Sequence, residues 1–455
     1  EAPTHIFGKG GLQESSGEGG SFDQAMLFRH ITRYSKTLER TDYLPQVLLQ
    51  ASKALLSSNP GPVLLSIPFN VQKEMLDTGL LDQLRIRPPV AALSQDSGQL
   101  QRLVKLILSA RRPVIIAGYG CIRAGAQQLV AEFSSLLQIP VASSLKGKGI
   151  ISEQSALSLG SLGVTSSGHA YKYIVEKSDL LIVLGAGFNE RTSYLWDQKL
   201  LANRKIIQID HDPNQLEKVF EAELALCGDI KQLVSELLTK IRAQTDDAIV
   251  QDVAGGIADL KQSSNGDYAI FMSGFALAEV FFRKLATRFP HDAAVFDDNI
   301  IFAQNFYRVS HANQYYPNAG ISSLGHAIPA AIGAQFFAQR PTFAILGDGG
   351  FQMCCMEIMT AMNYRKPLNI VLFNNGTMGL IRKNQHQLYK RRFINCDFIN
   401  PDYAQLALAF GIKYKQVATL TDLDELFEYY DLEGGINLID IALDKDTFPN
   451  YSSKR

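Results

Sequence analysis

The chain has no surplus of charge of either sign: 44 lysines and arginines stand against 45 aspartates and glutamates, a net charge of −1. That leaves no electrostatic footprint for nucleic acid or for an anionic membrane surface. There is no uninterrupted apolar stretch of about 18 residues, so no membrane span is expected. No signal peptide is visible. The five cysteines (Cys121, Cys227, Cys354, Cys355 and Cys396) are odd in number and have no metal-type spacing. Reduced thiols in a cytoplasmic protein are the reading, with Cys354-Cys355 taken as small core residues. The eight histidines form no ligand pattern, and none has a serine or cysteine partner at a recognisable spacing. Repeats and low-complexity tracts are missing too.

What is present is enough for large cores: 455 residues, 46% of them hydrophobic, give room for about three domains. The most informative stretch lies late in the chain. Thr342-Phe343-Ala344-Ile345-Leu346 reads as a buried strand and runs directly into Gly347-Asp348-Gly349. Leu368 to Phe373 reads as a second strand and runs into Asn374-Asn375, with 24 residues between Gly349 and Asn374. Phe351 to Tyr364 between them has the length and composition of a helix. The result is a βαβ unit with polar turns at the carboxyl ends of both strands, where open α/β sheets hold ligands.

The chemistry available there is narrow. Asp348 offers an anionic oxygen and Asn375 an amide oxygen, while the turn through Gly376 and Thr377 can aim a backbone carbonyl at the same point. Such a set suits Mg²⁺, which completes its octahedron with water and phosphate oxygens. Gly349 and Gly350 allow close backbone approach, and the N–H groups opening the helix at Phe351 favour a diphosphate.

Along the rest of the chain, Gly8 to Gly20 reads as a loop, Thr41 to Ser57 as helical and Val63 to Ile67 as a strand. Arg87-Pro88-Pro89 marks a boundary. Short strands at Val114–Ala117, Val141–Ser143, Leu180–Leu184 and Ile206–Ile209 alternate with helices, which argues for a parallel sheet flanked by helices. Gly118-Tyr119-Gly120 lacks the full dinucleotide spacing. Asp210 is a ribose-binding acid or, more simply, a solvated strand-end acid. Gln244 to Tyr268 reads as a linker. The expectation is an α/β protein of successive parallel-sheet three-layer domains: 1–88, 95–243 and 265–446. With one clear strand before the middle domain, the first appears truncated.

Gly-Asp-Gly followed at this distance by Asn-Asn resembles the thiamine-diphosphate motif of the 2-oxo acid decarboxylase and carboligase superfamily. The resemblance is collinear over almost the whole chain and points to acetolactate synthase-like enzymes. It includes Gly61 to Pro68, Pro113 to Gly118, Lys146-Gly147-Lys148-Gly149, Leu324 to Ala334, Met378-Gly379-Leu380-Ile381 and Pro401-Asp402-Tyr403 to Phe410-Gly411.

That resemblance implies thiamine diphosphate and Mg²⁺ as cofactors, with Asp348, Asn375 and Thr377 on the metal. It implies cofactor contacts at Asn299, Ile300, Ser322, Leu324, Gly347, Gly349, Gly350, Phe351, Met378, Gly379, Leu380 and Ile381. Leu324 would be the wedge bending the cofactor's two rings into contact, and the Ser322 carbonyl would accept from the 4′-amino group. Leu12-Gln13-Glu14 resembles a Phe-Gln-Glu segment, which makes Gln13 a candidate catalytic position and denies Glu14 the role of catalytic glutamate. In the family that glutamate precedes the point where this chain begins. Phe188-Asn189-Glu190-Arg191 resembles Phe-Asp-Asp-Arg, whose arginine receives a second 2-oxo acid's carboxylate, a role suited to Arg191.

Departures bear on substrate choice. Asn384 replaces a tryptophan and Phe69 a lysine, and Asn299-Ile300-Ile301-Phe302 stands where the phosphate-side Gly-Gln-His-Gln is usual. Gly187 stands where an arginine is usual, and Gly163-Val164-Thr165-Ser166 replaces Gly-Met-His-Gly, both against bound FAD. Arg382 and Lys383 attract an anionic acceptor or form a solvated helix face. The implied activity is a carboligase acting on pyruvate or a related 2-oxo acid, in a homodimer or homotetramer. Simple decarboxylation and a non-catalytic chain stay open beside it.

Overall fold

The computed structural model describes residues 1–57, 59–82, 84, 86, 97–244, 256–259, 261, 274–310 and 314–449. The boundary at Arg87-Pro88-Pro89 and most of the linker expected from Gln244 to Tyr268 lie outside the described residues. The chain divides into two compact units, Glu1–Ser94 and Gln95–Arg455.

In the first unit, β1 (Tyr34–Thr37) pairs in parallel with β2 (Val63–Ser66). The helix Leu44–Leu56 connects them, with a proline at its first turn, where a missing N–H costs nothing. Its small core gathers Leu38, Val47 and Val71. β2 and the helix match the sequence expectation, whereas β1 corrects it. Tyr34-Ser35-Lys36-Thr37 has no apolar run and is invisible to a periodicity argument.

The second unit holds two six-stranded sheets in which every pairing is parallel. The first is built from β3 (Pro113–Ala117), β4 (Val141–Ser143), β5 (Ser158–Ser161), β6 (Leu180–Leu184), β7 (Lys205–Asp210) and β8 (Leu224–Cys227) in the order β5-β4-β3-β6-β7-β8. This is the strand order of a dinucleotide-binding fold, with its reversal between β3 and β6. The second is built from β9 (Ala294–Asp297), β10 (Tyr315–Pro317), β11 (Thr342–Gly347), β12 (Leu368–Asn374), β13 (Lys413–Val417) and β14 (Ile436–Ala442) in the order β10-β9-β11-β12-β14-β13.

Both sheets are covered on two faces, so alternate residues of one strand enter different cores. Phe343 and Ile345 of β11 join one cluster while Ala344 and Leu346 join the other. Burial on both sides is why these strands read as continuous apolar runs rather than alternating ones. No helix among the described residues is long and apolar enough to cross a membrane.

The helix expected at Phe351–Tyr364 starts earlier and is divided. It runs Asp348–Cys354, passes through a tight turn at Cys355–Glu357, and resumes at Ile358–Tyr364. All five cysteines are free thiols. Cys354 is buried, as a small core residue should be, and burial pushes its thiol up to about 12.

Candidate active site

β11 and β12 are neighbours with Gly347 opposite Phe373, so the residues following them emerge side by side. Asp348 is almost fully buried, and its Oδ2 accepts the Asn375 amide at 3.1 Å, the Gly376 amide at 2.6 Å and Asn400 Nδ2 at 2.9 Å. Its Oδ1 takes, among the described residues, the Gly349 amide alone at 3.0 Å. One carboxylate oxygen therefore locks the turn, and the other is left for a cation.

The turn itself is tightly specified. Gly376 has φ +66, which favours glycine. Asn375 Oδ1 accepts the Thr377 amide at 3.3 Å, and Thr377 Oγ1 donates to the Cys396 carbonyl at 2.8 Å. With its hydroxyl committed, Thr377 has its carbonyl to offer to an ion. Asn374 does a different job from its neighbour: its Oδ1 accepts Asn400 Nδ2 at 2.8 Å, away from the ion position.

A cavity of about 330 Å³ opens over this junction. Its floor is Gly347, Asp348, Gly349 and Gly350, and one wall is Asn375, Thr377 and Met378-Gly379-Leu380-Ile381. Asn299 and Ile300 after β9 line it too, together with Ser322 and Leu324. The glycines here are needed for space. A Cβ on Gly349 would lie 2.5 Å from Met378 Sδ, and one on Gly350 would lie 2.6 Å from Asp298 Oδ2.

The loop after β9 is held by two buried aspartates. Asp297 accepts the Ile300 amide at 2.5 Å and the Tyr315 hydroxyl, and burial pushes its carboxyl up to about 7. Asp298 accepts the Gly325 amide at 2.8 Å, the His326 amide at 3.2 Å and Asn318 Nδ2 at 3.1 Å.

Arg191 is elsewhere. It lines a second cavity, of about 590 Å³, with Gly163, Thr165, Ser166 and Gly187. Ser322 lines both cavities, and Arg191 Nη1 donates to Asn299 Oδ1 at 2.9 Å. This second cavity lies outside the carboxyl ends of β3, β4 and β6. The Gly118-Tyr119-Gly120 turn beside it is filled by the protein itself, since a Cβ on Gly118 would lie 2.0 Å from the Gly185 carbonyl oxygen. Those glycines serve close packing. Asp210 is neither solvated nor in either cavity lining: it is buried, and its Oδ1 accepts the Asp212 amide at 3.0 Å and lies 3.1 Å from His211 Nδ1.

A model of the thiamine pyrophosphate enzyme central domain matches residues 100–237, and one of the C-terminal TPP-binding domain of thiamine pyrophosphate enzymes matches residues 299–441. The chain belongs to the thiamine pyrophosphate enzymes. It is 28% identical to a probable acetolactate synthase large subunit of Methanococcus aeolicus, over 98% of this chain and 76% of that protein. The same figures hold against the probable acetolactate synthase large subunit of Methanocaldococcus jannaschii. Against the acetolactate synthase large subunit of Corynebacterium glutamicum, identity is 28% over 84% of this chain and 62% of the other.

The residues present fit a metal-bound diphosphate. Asp348 Oδ1, Asn375 Oδ1 and the Thr377 carbonyl are all hard oxygens, and a divalent ion of the Mg²⁺ type accepts such ligands with phosphate oxygens beside them. A diphosphate is favoured where a helix begins, because the first amides have no intrahelical partner. Because the helix after β11 begins at Asp348, the amides without an intrahelical carbonyl are those of Asp348, Gly349 and Gly350. This corrects the expectation for Phe351. Its side chain is fully buried in the core, edge-on to Tyr403 at 5.4 Å, and it does not line the cavity.

Two further placements differ from the sequence reading. Arg382 and Lys383 are buried rather than on a solvated face. Arg382 grips Asp397 through both oxygens at 2.9 and 2.7 Å, reaches Asp446 at 2.7 Å, and lies 3.8 Å from the Phe393 ring centroid. Burial alone brings the Lys383 ammonium down to about 8. Gln13 belongs to the first unit, where it is exposed at φ +56. Sequence reasoning missed Asn400, Asp298 and Asn318. Asn400 directly precedes the matched Pro401-Asp402-Tyr403 segment, a signal that marks its neighbourhood but not its task.

Proposed function

We propose that the protein is a thiamine-diphosphate- and Mg²⁺-dependent carboligase of the acetolactate synthase type, decarboxylating pyruvate or a related 2-oxo acid and joining the remainder to a carbonyl acceptor. The observation that carries this reading is the convergence of Asp348, Asn375 and Leu324 on one cavity within the region that matches the TPP-binding domain. Bound thiamine diphosphate supplies the nucleophilic carbon and the electron sink.

The chain's own residues hold and shield. Asp348, Asn375 and the Thr377 carbonyl would hold the Mg²⁺, and the Gly350 amide would face a phosphate oxygen. Leu324 would press on the bound cofactor, the Ser322 carbonyl would accept from its amino group, and Ile300, Leu380 and Ile381 would keep water out. Arg191 offers its remaining guanidinium edge to the acceptor's carboxylate. Gly187 and Thr165, in place of the residues that the resemblance leads one to expect, argue against FAD. The five free cysteines support a cytoplasmic setting. Exposed apolar residues such as Phe337 and Ile399 support a homo-oligomer, a dimer or a tetramer.

The bond from Arg191 to Asn299 favours a second reading, simple decarboxylation, in which no carboxylate competes for that arginine. Product analysis with pyruvate, thiamine diphosphate and Mg²⁺ separates the two: a ligated hydroxy-keto acid supports the proposal, acetaldehyde alone supports decarboxylation, and a cofactor-loaded protein without turnover defeats both. The metal is tested without turnover. Cofactor at about 100 times its Kd should stabilise the protein by about 2.7 kcal/mol. Chelation or Asp348→Asn should abolish that shift, and its persistence in the variant would refute the metal assignment.

A further inference from the structure

Leu324 is half-buried and sits between two residues tied to one carboxylate system. Ahead of it, the Ser323 carbonyl accepts from Asn318 Nδ2, which also donates to Asp298 Oδ1 at 3.1 Å. Behind it, the Gly325 amide donates to Asp298 Oδ2 at 2.8 Å and the His326 amide to Oδ1 at 3.2 Å. Ser322, one residue further out, has φ +57, so the turn adopts a conformation that its own sequence does not favour. An outside anchor has to hold it.

Asp298 is placed to be that anchor. It is nearly fully buried, its amide donates to the Ile345 carbonyl of β11 at 2.8 Å, and its Oδ2 approaches Gly350 so closely that a Cβ there would lie 2.6 Å away. One side chain thus holds the Leu324 turn and packs against the first turn of the helix after Asp348. Hydrogen bonds to a buried carboxylate are short-range and directional, so they transmit position and not merely charge.

We propose that Asp298, acting through Asn318 and the Gly325 and His326 amides, is the positioning residue that sets how far Leu324 projects into the cavity, and so would govern ring-to-ring contact in a bound cofactor. This rests on the cofactor reading given above. The metal and diphosphate side is held separately, by Asn375, Gly376 and Asn400 on Asp348.

The test is a double-mutant cycle on the cofactor-loaded protein, with Asp298→Asn, Leu324→Ala and the two combined. Three quantities are read: turnover, cofactor Kd by calorimetry, and the near-ultraviolet circular dichroism of the bound aminopyrimidine. Asp298→Asn is expected to lower turnover about 10- to 100-fold, the scale for reacting groups displaced by about 1 Å. The dichroism band should fall with it, while Kd rises less than about threefold because the diphosphate grip is untouched. The double variant should be no worse than the more severe single variant.

Additive losses, an unchanged band, or a Kd that rises as much as turnover falls would overturn the inference and leave Asp298 as scaffold. A wild-type protein that binds no thiamine diphosphate overturns the cofactor reading, and this inference with it. If Asp298→Asn does not fold, Asn318→Ala carries the same test. It cuts the tie to Ser323 and leaves the Asp298 carboxylate bonded to two backbone amides.

Discussion

Adjacent glycines at the site should respond oppositely to the same change. Gly350 lies in the helix Asp348–Cys354 with no left-handed φ, so alanine gains about 1 kcal/mol there on backbone grounds alone. Its Cβ, however, would arrive 2.6 Å from Asp298 Oδ2. That oxygen cannot swing away, because Asp298 is buried and its carboxylate is held by Gly325, His326 and Asn318. Overpacking costs about 1–3 kcal/mol, and loosening one hydrogen bond to a charged group a further 1.5–3 or so. The balance for Gly350→Ala is a loss of about 2–5 kcal/mol, read as a lower urea midpoint of the cofactor-free protein. Gly349→Ala meets Met378 Sδ at 2.5 Å, and a half-buried thioether can rotate aside for under about 1 kcal/mol. Met378 moves within the cavity wall, so this second variant should keep its stability and lose cofactor affinity. If Gly350→Ala unfolds at the wild-type midpoint or above it, or if Gly349→Ala is the less stable variant, the packing argument is wrong.

The Asp297 carboxyl, raised to about 7 by burial, keeps a proton that the unfolded chain releases near pH 4. The native state therefore binds more protons across that window, and wild-type stability should fall as pH rises from about 4 to 7, by up to about 1.4 kcal/mol per unit. Asp297→Asn, neutral throughout, should gain on the wild type over that range and keep its advantage at pH 8; a gap that ignores pH counts against the argument. Lys148 and Glu153 form a buried pair at 2.5 Å, and Glu153 also accepts the Val309 amide at 2.9 Å. Lys148→Ala should cost about 3–5 kcal/mol, and Lys148→Met with Glu153→Gln, which keeps an acceptor for Val309, clearly less. Denaturation midpoints decide, and equal losses refute the point. Asn299→Gly keeps the left-handed turn and frees Arg191, so a carboxylate-bearing acceptor should bind about fivefold tighter, the worth of one hydrogen bond of about 1 kcal/mol. An unchanged acceptor KM would speak against Arg191 as its receiver.

Legibility followed burial in part. β3, β4, β6, β7, β11 and β12 each lie between two neighbouring strands and are visible as apolar or β-branched runs, whereas β9 and β14, equally internal, are absent from the sequence expectation. β5 and β8 are the two edges of their sheet, and β1 bonds on one side only. Ser158-Leu159-Gly160-Ser161 carries two serines and a glycine, because a strand paired on one side with short neighbours does not need the continuous apolar pattern. The site divides in the same way. Asp348 and Asn375 could be read because each directly follows a central strand, and neighbouring strands bring their ends together. Asn400 reaches Asp348 from 52 residues away, and Asp298 reaches Gly325 across 27. Those contacts depend on how helices and turns pack over the sheet, which no local spacing encodes.

The departures from the family pattern have their own physical logic at Asn299. The backbone there is left-handed, φ +67, at the position that the resemblance gives to a glycine. Asparagine is among the few residues that accept this conformation, because its short polar side chain bonds locally. Here the side chain bonds outward instead, to Arg191, and so ties the loop after β9 to the loop after β6. Thr165, in the loop after β5, adds a second tie by donating to Gln304 Oε1 at 3.0 Å. A glycine would leave that junction loose; asparagine makes it a fixed wall between the two cavities, with Ser322 on both sides of it. The strand ends at Asp348 and Asn375 keep the residues that the resemblance leads one to expect. Ile300, Ile301 and Phe302, which replace polar residues of the family pattern, line the cavity that holds Asp348 and Asn375. The departures from the family pattern therefore fall on both cavities: Asn299 to Phe302 on the one with Asp348, and Gly163, Thr165 and Gly187 on the one with Arg191.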